Sequence, residues 1–274
     1  MNRQIGIDSA FQAVVWEYFQ DHGRHDLPWR LPGPEGSFDA YHVMVSELML
    51  QQTQVARVIP KYEEFLTVFP TVLSLAEARL GEVLQLWSGL GYNRRAKFLH
   101  QAAQQIVQTY WGEFPEHATE LVKLPGIGSN TAGAILAYAF NQSVVFVETN
   151  IRTVFIHHFF ADDMAIADQV IMELVSSNLD RNHPREWYWA LMDYGSHLKQ
   201  TIGNLNRQSK TYTKQSTFQG SQRQLRGQII RLLGARPYRA SELHKQLNDP
   251  RLSAVLDELV AECLIQQHGA DYSL

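Results

Sequence analysis

Apolar positions recur every three or four residues along most of the chain. The breaks in that rhythm fall at short polar or Pro/Gly stretches, so the pattern predicts a succession of helices. Asp8 or Ser9 can cap a first helix that carries Phe11, Val14, Val15, Tyr18 and Phe19 on one face. A Pro/Gly loop follows at 27–37. A long helix is then predicted over 41–58, with Val43, Met44, Leu48, Leu50 and Val55 facing inward and Pro60 kinking or ending it. Further helices are expected at 62–69, 73–78, 82–87, 93–110 and 117–122. Another starts after the turn Gly126-Ile127-Gly128, and three more lie at 150–160, 167–178 and 187–199. Only 144–147, a β-branched and aromatic run, has strand character. The expected class is all-α.

Beyond residue 200 the pattern changes. Residues 201–222 are rich in Gln, Ser, Thr, Asn and Lys with few apolars, and read as a linker. Residues 223–274 give three helical segments and two short extended pieces around Gly269. This is the outline of a winged helix, with 250–264 as the candidate recognition helix. The expected organisation is a helical domain at 1–200, a linker at 201–222 and a small winged-helix-like domain at 223–274.

Composition narrows the function classes. With 274 residues and 45% apolar content the chain can bury a substantial core. No apolar run reaches the length of a membrane span, and the N-terminus lacks the apolar stretch of a secretory signal. A single cysteine, Cys263, excludes an intramolecular disulfide framework and a cysteine-ligated cluster. These features predict a cytoplasmic, monomeric protein. Net charge is −4, yet residues 199–245 carry Lys199, Arg207, Lys210, Lys214, Arg223, Arg226, Arg231, Arg236, Arg239 and Lys245 against one acid, Glu242. Such a block is either a footprint for a polyanion or a solvated linker.

Four features carry chemistry. In Leu124-Pro125-Gly126-Ile127-Gly128 the glycines permit close backbone approach, and the helix behind them aims its amides at an anion; an ordinary helix corner has the same appearance. The turn Gly89-Leu90-Gly91-Tyr92 precedes Arg94, Arg95 and Lys97, which suits phosphate contact beside a stacking ring or a solvated basic face. Glu47 sits among Val45, Leu48 and Met49, where burial would raise its pKa toward that of a general acid, although a salt-bridged glutamate is the plainer reading. Glu148 ends the apolar run at 144–147. Together the two acids could cleave a glycosidic bond through an oxocarbenium-like state.

The segments LPWR, SELMLQQTQVARVIPKYEEF, LWSGLGYNRRAKFLHQAA, LPGIGSNTAGAI and ETNIRTV, in this order and spacing, resemble the helix-hairpin-helix DNA glycosylases, and within them the MutY-type adenine glycosylases. The resemblance covers roughly the first 200 residues and implies a two-lobed helical fold acting on double-stranded DNA with a damaged or mispaired base. It implies that Glu47 protonates the adenine ring and that Glu148 occupies the place of the carboxylate facing the sugar, supported by Asn150. Gln52 and Tyr92 match residues that wedge into the duplex, and Trp29, Arg30, Asn130 and Asn150 match positions around the base. Arg94, Arg95, Gly126, Gly128, Asn130 and Thr131 are expected DNA contacts, and Arg223 and Arg226 are expected to join them from the basic block. The carbonyls of Val122, Leu124 and Ile127 match a site for Na+ or K+.

Four departures modify this expectation. The family has aspartate where Glu148 stands, and one methylene displaces the charge by roughly 1.5 Å. Bifunctional members have a nucleophilic lysine at the position of Asn130, so strand cleavage is not expected. The four-cysteine iron-sulfur loop has no counterpart, with Lys199 at its first ligand, nor does the C-terminal domain that reads 8-oxoguanine. The predicted function is a monofunctional base-excision glycosylase for adenine opposite 8-oxoguanine or guanine. Excision of uracil, mismatched thymine or a deaminated purine is the alternative. From another class, a catalytically silent protein that binds DNA lesions or structures also fits, although such a protein has little use for Glu47.

Overall fold

A computed structural model describes residues 6–160, 165–210, 212 and 217–274; Lys214 of the basic block lies outside them. The chain forms fourteen helices among the described residues: α1 Ser9–His22, α2 Ala40–Leu50, α3 Val55–Val68, α4 Val72–Glu77, α5 Leu80–Leu86, α6 Arg94–Tyr110, α7 Ala118–Leu121, α8 Ser129–Tyr138, α9 Thr149–Phe159, α10 Asp168–Asn178, α11 Pro184–Thr201, α12 Gln222–Ala235, α13 Ala240–Leu247 and α14 Leu252–Ala261. Strands β1 Tyr238–Arg239, β2 Gln266–His268 and β3 Asp271–Ser273 form one antiparallel sheet in the order β1-β3-β2. No described helix is long and apolar enough to cross a membrane.

The helices cluster into two compact units. Among the described residues the first comprises 6–43, 116–122, 127–160, 165–210 and 212; the second comprises 44–115, 123–126 and 217–274. In the first unit α11 is the central helix, with α1, α8 and α9 packed on it. Asp8 caps α1 by accepting from the Phe11 amide at 2.9 Å. The stripe Phe11, Val15, Phe19 then faces inward, where Phe11 meets Phe155, Phe159 and Trp187 with ring centroids 5.1, 5.1 and 6.0 Å away. In the second unit α6 packs on α4 and α5 through Ala96, Leu99, Ala102, Ala103 and Ile106, and α12 lies against α5 and α14. The C-terminal residues 217–274 thus belong to the same compact unit as 44–115.

The pattern and the structure part company in four places. The single helix expected over 41–58 is two, because the chain reverses at Gln52 (φ 55°) and α3 starts afresh at Val55. Gln51, Gln52, Thr53 and Gln54 offer no apolar side chain to carry a buried stripe across that gap. Pro60 does not end α3. The helix runs eight residues past it because Val58, Tyr62 and Phe65 are buried on one face, which outweighs the roughly 3 kcal/mol cost of an internal proline. Residues 144–147 form no strand: the Tyr188 hydroxyl donates to the Val144 carbonyl at 2.7 Å and accepts from the Phe146 amide at 3.4 Å, so a side chain takes the place of a neighbouring strand. The polar stretch expected as linker is packed at 205–209. There Asn206 is buried and donates to Thr153 Oγ1 at 2.8 Å and to the Thr149 carbonyl at 3.2 Å. Its low apolar content hid this, since polar side chains do the docking.

Candidate functional site

In the first unit the predicted acid Glu148 is the N-cap of α9. Its Oε1 accepts from the amides of Asn150 at 2.5 Å and Ile151 at 2.9 Å, which fixes the carboxyl group at the positive end of the helix. Burial lifts the Glu148 carboxyl above its ordinary range, opposed by the hydrogen bonds from Ile151 and Asn150 and by the charge of Arg152. Arg152 is held in turn by both oxygens of Asp168 at 3.0 Å. The segment leading to Glu148 is fixed from three sides. Asn130, in the first turn of α8, donates to the Val147 carbonyl at 2.8 Å. A Cβ on Gly133 would stand 2.7 Å from Cβ of Phe146, and one on Gly195 would stand 2.2 Å from the carbonyl oxygen of Asn150. Only glycine lets α8 and α11 approach this closely. Gly133 and Gly195 were not singled out from the sequence, although an isolated glycine inside a helical pattern is the signal of such a contact.

The predicted base-pocket pair Trp29 and Arg30 lies on a short 3-10 turn, Pro28–Arg30. Arg30 is 6% exposed. Its fork donates to both oxygens of Asp193, at 2.8 and 2.9 Å, and its guanidinium lies 5.3 Å from the Trp189 ring centroid. Asp193 also accepts from the Arg24 backbone amide and Nε, both at 2.8 Å. Arg30 therefore anchors the loop that presents Trp29. Asp193 and Arg24 are parts of that anchor which sequence reasoning missed. An acid inside the apolar run of α11 was the available signal.

Gly126 lies at φ 77°, and a Cβ there would stand 2.7 Å from that of Phe98 on α6, so the turn needs glycine twice over. Gly128 is the N-cap of α8, with open space where its Cβ would be and no side-chain cap on the helix. Asn130 and Thr131 follow in that first turn. The side chains of Leu124 and Ile127 are buried. No acid occurs between 122 and 128, so backbone carbonyls are the oxygen donors this turn offers, a set that fits a monovalent cation.

The second unit holds Glu47, half-buried on α2 between buried Ser46 and Leu48. It also brings most of the predicted DNA-contacting residues into one groove of about 590 Å³, lined by Gln51 and Gln52 after α2, by Tyr92, Asn93, Arg94 and Arg95 at the start of α6, by Gln222, Arg223 and Arg226 from α12, and by Glu258 and Glu262 at the end of α14. Gln52 and Tyr92 both sit in the left-handed region, at φ 55° and 49°, a conformation that costs of order 1 kcal/mol or more for such residues. Arg95 is the strut behind them. Buried at 8% exposure, it donates to the carbonyls of Leu48, Met49, Leu90 and Gly91, so one guanidinium ties together the two turns that carry Gln52 and Tyr92. Desolvation pulls its pKa down to about 10.

Two of the groove's four arginines are paired with its two carboxylates. Arg94 pairs with Glu262 at 2.7 Å, and Arg226 pairs with Glu262 and with Glu258. Arg223 lies over the Tyr92 ring, 5.1 Å from its centroid, and donates to the Tyr92 hydroxyl. Within the candidate recognition stretch 250–264 the helix is Leu252–Ala261, with Arg251 at its N-cap and Asp257 and Glu258 along it, and the arginines of the groove come from α6 and α12.

Sequence comparison decides the family. An adenine DNA glycosylase of Mycolicibacterium smegmatis is 34% identical over 286 residues, covering 94% of this chain and 93% of the relative. The chain belongs to the adenine DNA glycosylase family. Residues 45–178 of this family member match the HhH-GPD superfamily of base excision DNA repair proteins. An adenine DNA glycosylase of Buchnera aphidicola subsp. Baizongia pistaciae is likewise 34% identical, over 77% of this chain, of which the chain spans 60% of the length. A thermostable thymine-DNA glycosylase shares the fold, with a TM-score of 0.58 at 21% identity over 68% of this chain and 85% of that one.

Proposed function

We propose that the chain is a monofunctional DNA N-glycosylase that hydrolyses the bond between adenine and deoxyribose at a mispair in double-stranded DNA, as a monomer in the cytoplasm. The observation that carries this reading is the clamped carboxyl group of Glu148, held by two amides at the start of α9. A group fixed in this way can face a developing sugar cation without reorganising during the reaction.

In this mechanism Glu47 donates a proton to a ring nitrogen of the adenine, the C1′–N9 bond breaks with its electron pair passing to the base, and the Glu148 carboxylate stabilises the cation left on the sugar. Water then adds at C1′ and its proton passes to the Glu47 carboxylate left by the first step, which restores the acid. Asn130 offers an amide, already bonded to the Val147 carbonyl, and no amine for a covalent sugar adduct, so the strand is left intact. The Gly126–Gly128 turn holds a phosphate on the amides of α8, and the carbonyls of Val122, Leu124 and Ile127 would hold Na+ or K+, which supplies positive charge beside that phosphate.

The test is incubation with duplexes carrying A:8-oxoguanine, A:G, U:G, T:G or hypoxanthine, followed by alkali. Release from the adenine duplexes, lost in Glu47→Gln and Glu148→Gln, is expected, with no strand break before alkali. Release confined to uracil, thymine or hypoxanthine would overturn the substrate, and binding without release from any duplex would overturn the activity.

A further inference from the structure

The groove of the second unit has the composition of a base reader rather than of a phosphate clamp. A phosphate site needs net positive charge offered outward. Here Arg94 and Arg226 face Glu258 and Glu262, and Arg95 is turned onto four backbone carbonyls. The remaining lining consists of four carboxamides, Gln51, Gln52, Asn93 and Gln222, together with Tyr92 and Arg223. Carboxamides and a guanidinium fork are the side chains that match the edges of nucleobases, and a tyrosine supplies a face for stacking. The fork is also aimed. Arg223 comes from the first turn of α12, whose start is fixed by Ser221 accepting from the Gln224 amide at 3.3 Å, and it rests on the ring and hydroxyl of Tyr92.

We propose that Arg223 is a specificity-determining residue which reads a guanine-type purine on the strand opposite the excised nucleotide. This inference rests on the glycosylase reading above and on the match of Tyr92 to a residue that wedges into the duplex. When Tyr92 inserts, the guanidinium it carries is delivered to the adjacent base, and its two parallel donors match the two acceptors on the guanine edge, O6 and N7. An 8-oxoguanine shares O6 and adds O8 as an acceptor, whereas N7 becomes a donor. Cytosine presents an amino donor on that edge and opposes the fork. The assignment places discrimination of the opposite base on α12, outside the span 45–178 that matches the HhH-GPD superfamily.

The experiment measures equilibrium binding to duplexes with an abasic analogue opposite guanine, 8-oxoguanine or cytosine, and single-turnover excision of adenine from the corresponding mispairs. The wild-type chain is expected to prefer the guanine-type duplexes. Arg223→Gln should narrow that preference about ten- to a hundredfold, and Arg223→Lys, which keeps the charge but not the fork, should narrow it nearly as far. The ratio of guanine to 8-oxoguanine binding tells which form the fork favours. Equal weakening across all three duplexes would assign Arg223 to phosphate instead, and no change would remove it from recognition; either result overturns the proposal. So does wild-type binding that ignores the opposite base. Because the abasic duplexes need no excision, their binding still tests Arg223 in a chain that fails to release adenine, and loss of the glycosylase reading alone shows as intact discrimination without turnover.

Discussion

Replacing Asp193 by Asn tests the anchor beneath the Trp29 loop. Asp193 is 3% exposed and accepts from the Arg24 backbone amide, the Arg24 guanidinium and both arms of the Arg30 fork. Burial alone would raise its carboxyl, but the hydrogen bonds and charge of Arg30, then the charge of Arg24, hold it below its ordinary value. The substitution leaves the Arg30 guanidinium, whose side chain is 5% exposed, without its counter-charge. Stranding a buried charge costs about 3–5 kcal/mol. The Arg24 side chain is 34% exposed, so water compensates most of its share. For a chain of this size the cost corresponds to a fall in Tm on the order of 6–20 °C. Urea unfolding of the wild type, Asp193→Asn, Arg30→Met and the double variant gives the coupling directly. The double variant should lose clearly less than the sum of the singles, because it leaves no orphaned charge. The folded-state pKa lies below the unfolded one, so the advantage over Asp193→Asn should be complete above the unfolded value of 3.8 and vanish as pH falls through the folded one. A loss under about 1 kcal/mol, or simple additivity, would refute the claim that this ion pair holds the loop.

Glu148→Gln should abolish excision yet gain stability relative to the wild type as pH rises from acid to neutral. The raised carboxyl favours folding below its ordinary value of 4.5 and loses that contribution as pH rises through the folded value, which paired thermal melts across pH would record. For the same reason the acid limb of the wild-type pH–rate profile should lie closer to neutrality than an ordinary glutamate would place it. Glu148→Asp shortens the side chain by one methylene, roughly 1.5 Å; a fall of about a hundredfold in single-turnover rate indicates a pocket fitted to glutamate, and a rise indicates the opposite. Gly195→Ala would put a Cβ 2.2 Å from the Asn150 carbonyl oxygen, and should destabilise by about 1–3 kcal/mol or more while slowing excision; unchanged melting would show that α11 yields easily. Gly126→Ala, strained at φ 77° and blocked by Phe98, should weaken duplex binding for every opposite base alike, as read by fluorescence anisotropy.

Much of the architecture was legible because it follows from local rules. Asp8 as a cap, the glycine turn at 126–128 and three of the five residues expected on the inner face of the first helix (Phe11, Val15 and Phe19, with Val14 exposed) each state their structure within a few residues. What stayed hidden depends on partners far along the chain. The break at Gln52 is held by Arg95, more than forty residues on, and residues 144–147 are capped by Tyr188 rather than by a strand. The candidate site divides the same way. The residue types of Glu148, Tyr92 and Arg94 suggested chemistry, but nothing local to Arg94 or Arg226 announced the carboxylates of Glu258 and Glu262 that meet them. Nor did Arg30, read as a base contact, disclose its engagement with Asp193.

The pairing of Arg94 and Arg226 with Glu258 and Glu262 has a consequence for ionic strength. Guanidiniums already neutralised within the protein displace few condensed cations when a duplex arrives, so Arg94 and Arg226 add little to the salt slope of binding. The steep part of that slope belongs to the backbone contacts that hold any sequence, and it falls away as salt rises. Discrimination between opposite bases made through hydrogen bonds to base edges does not. Raising the salt should therefore loosen the chain from DNA in general while leaving its choice of partner base nearly constant.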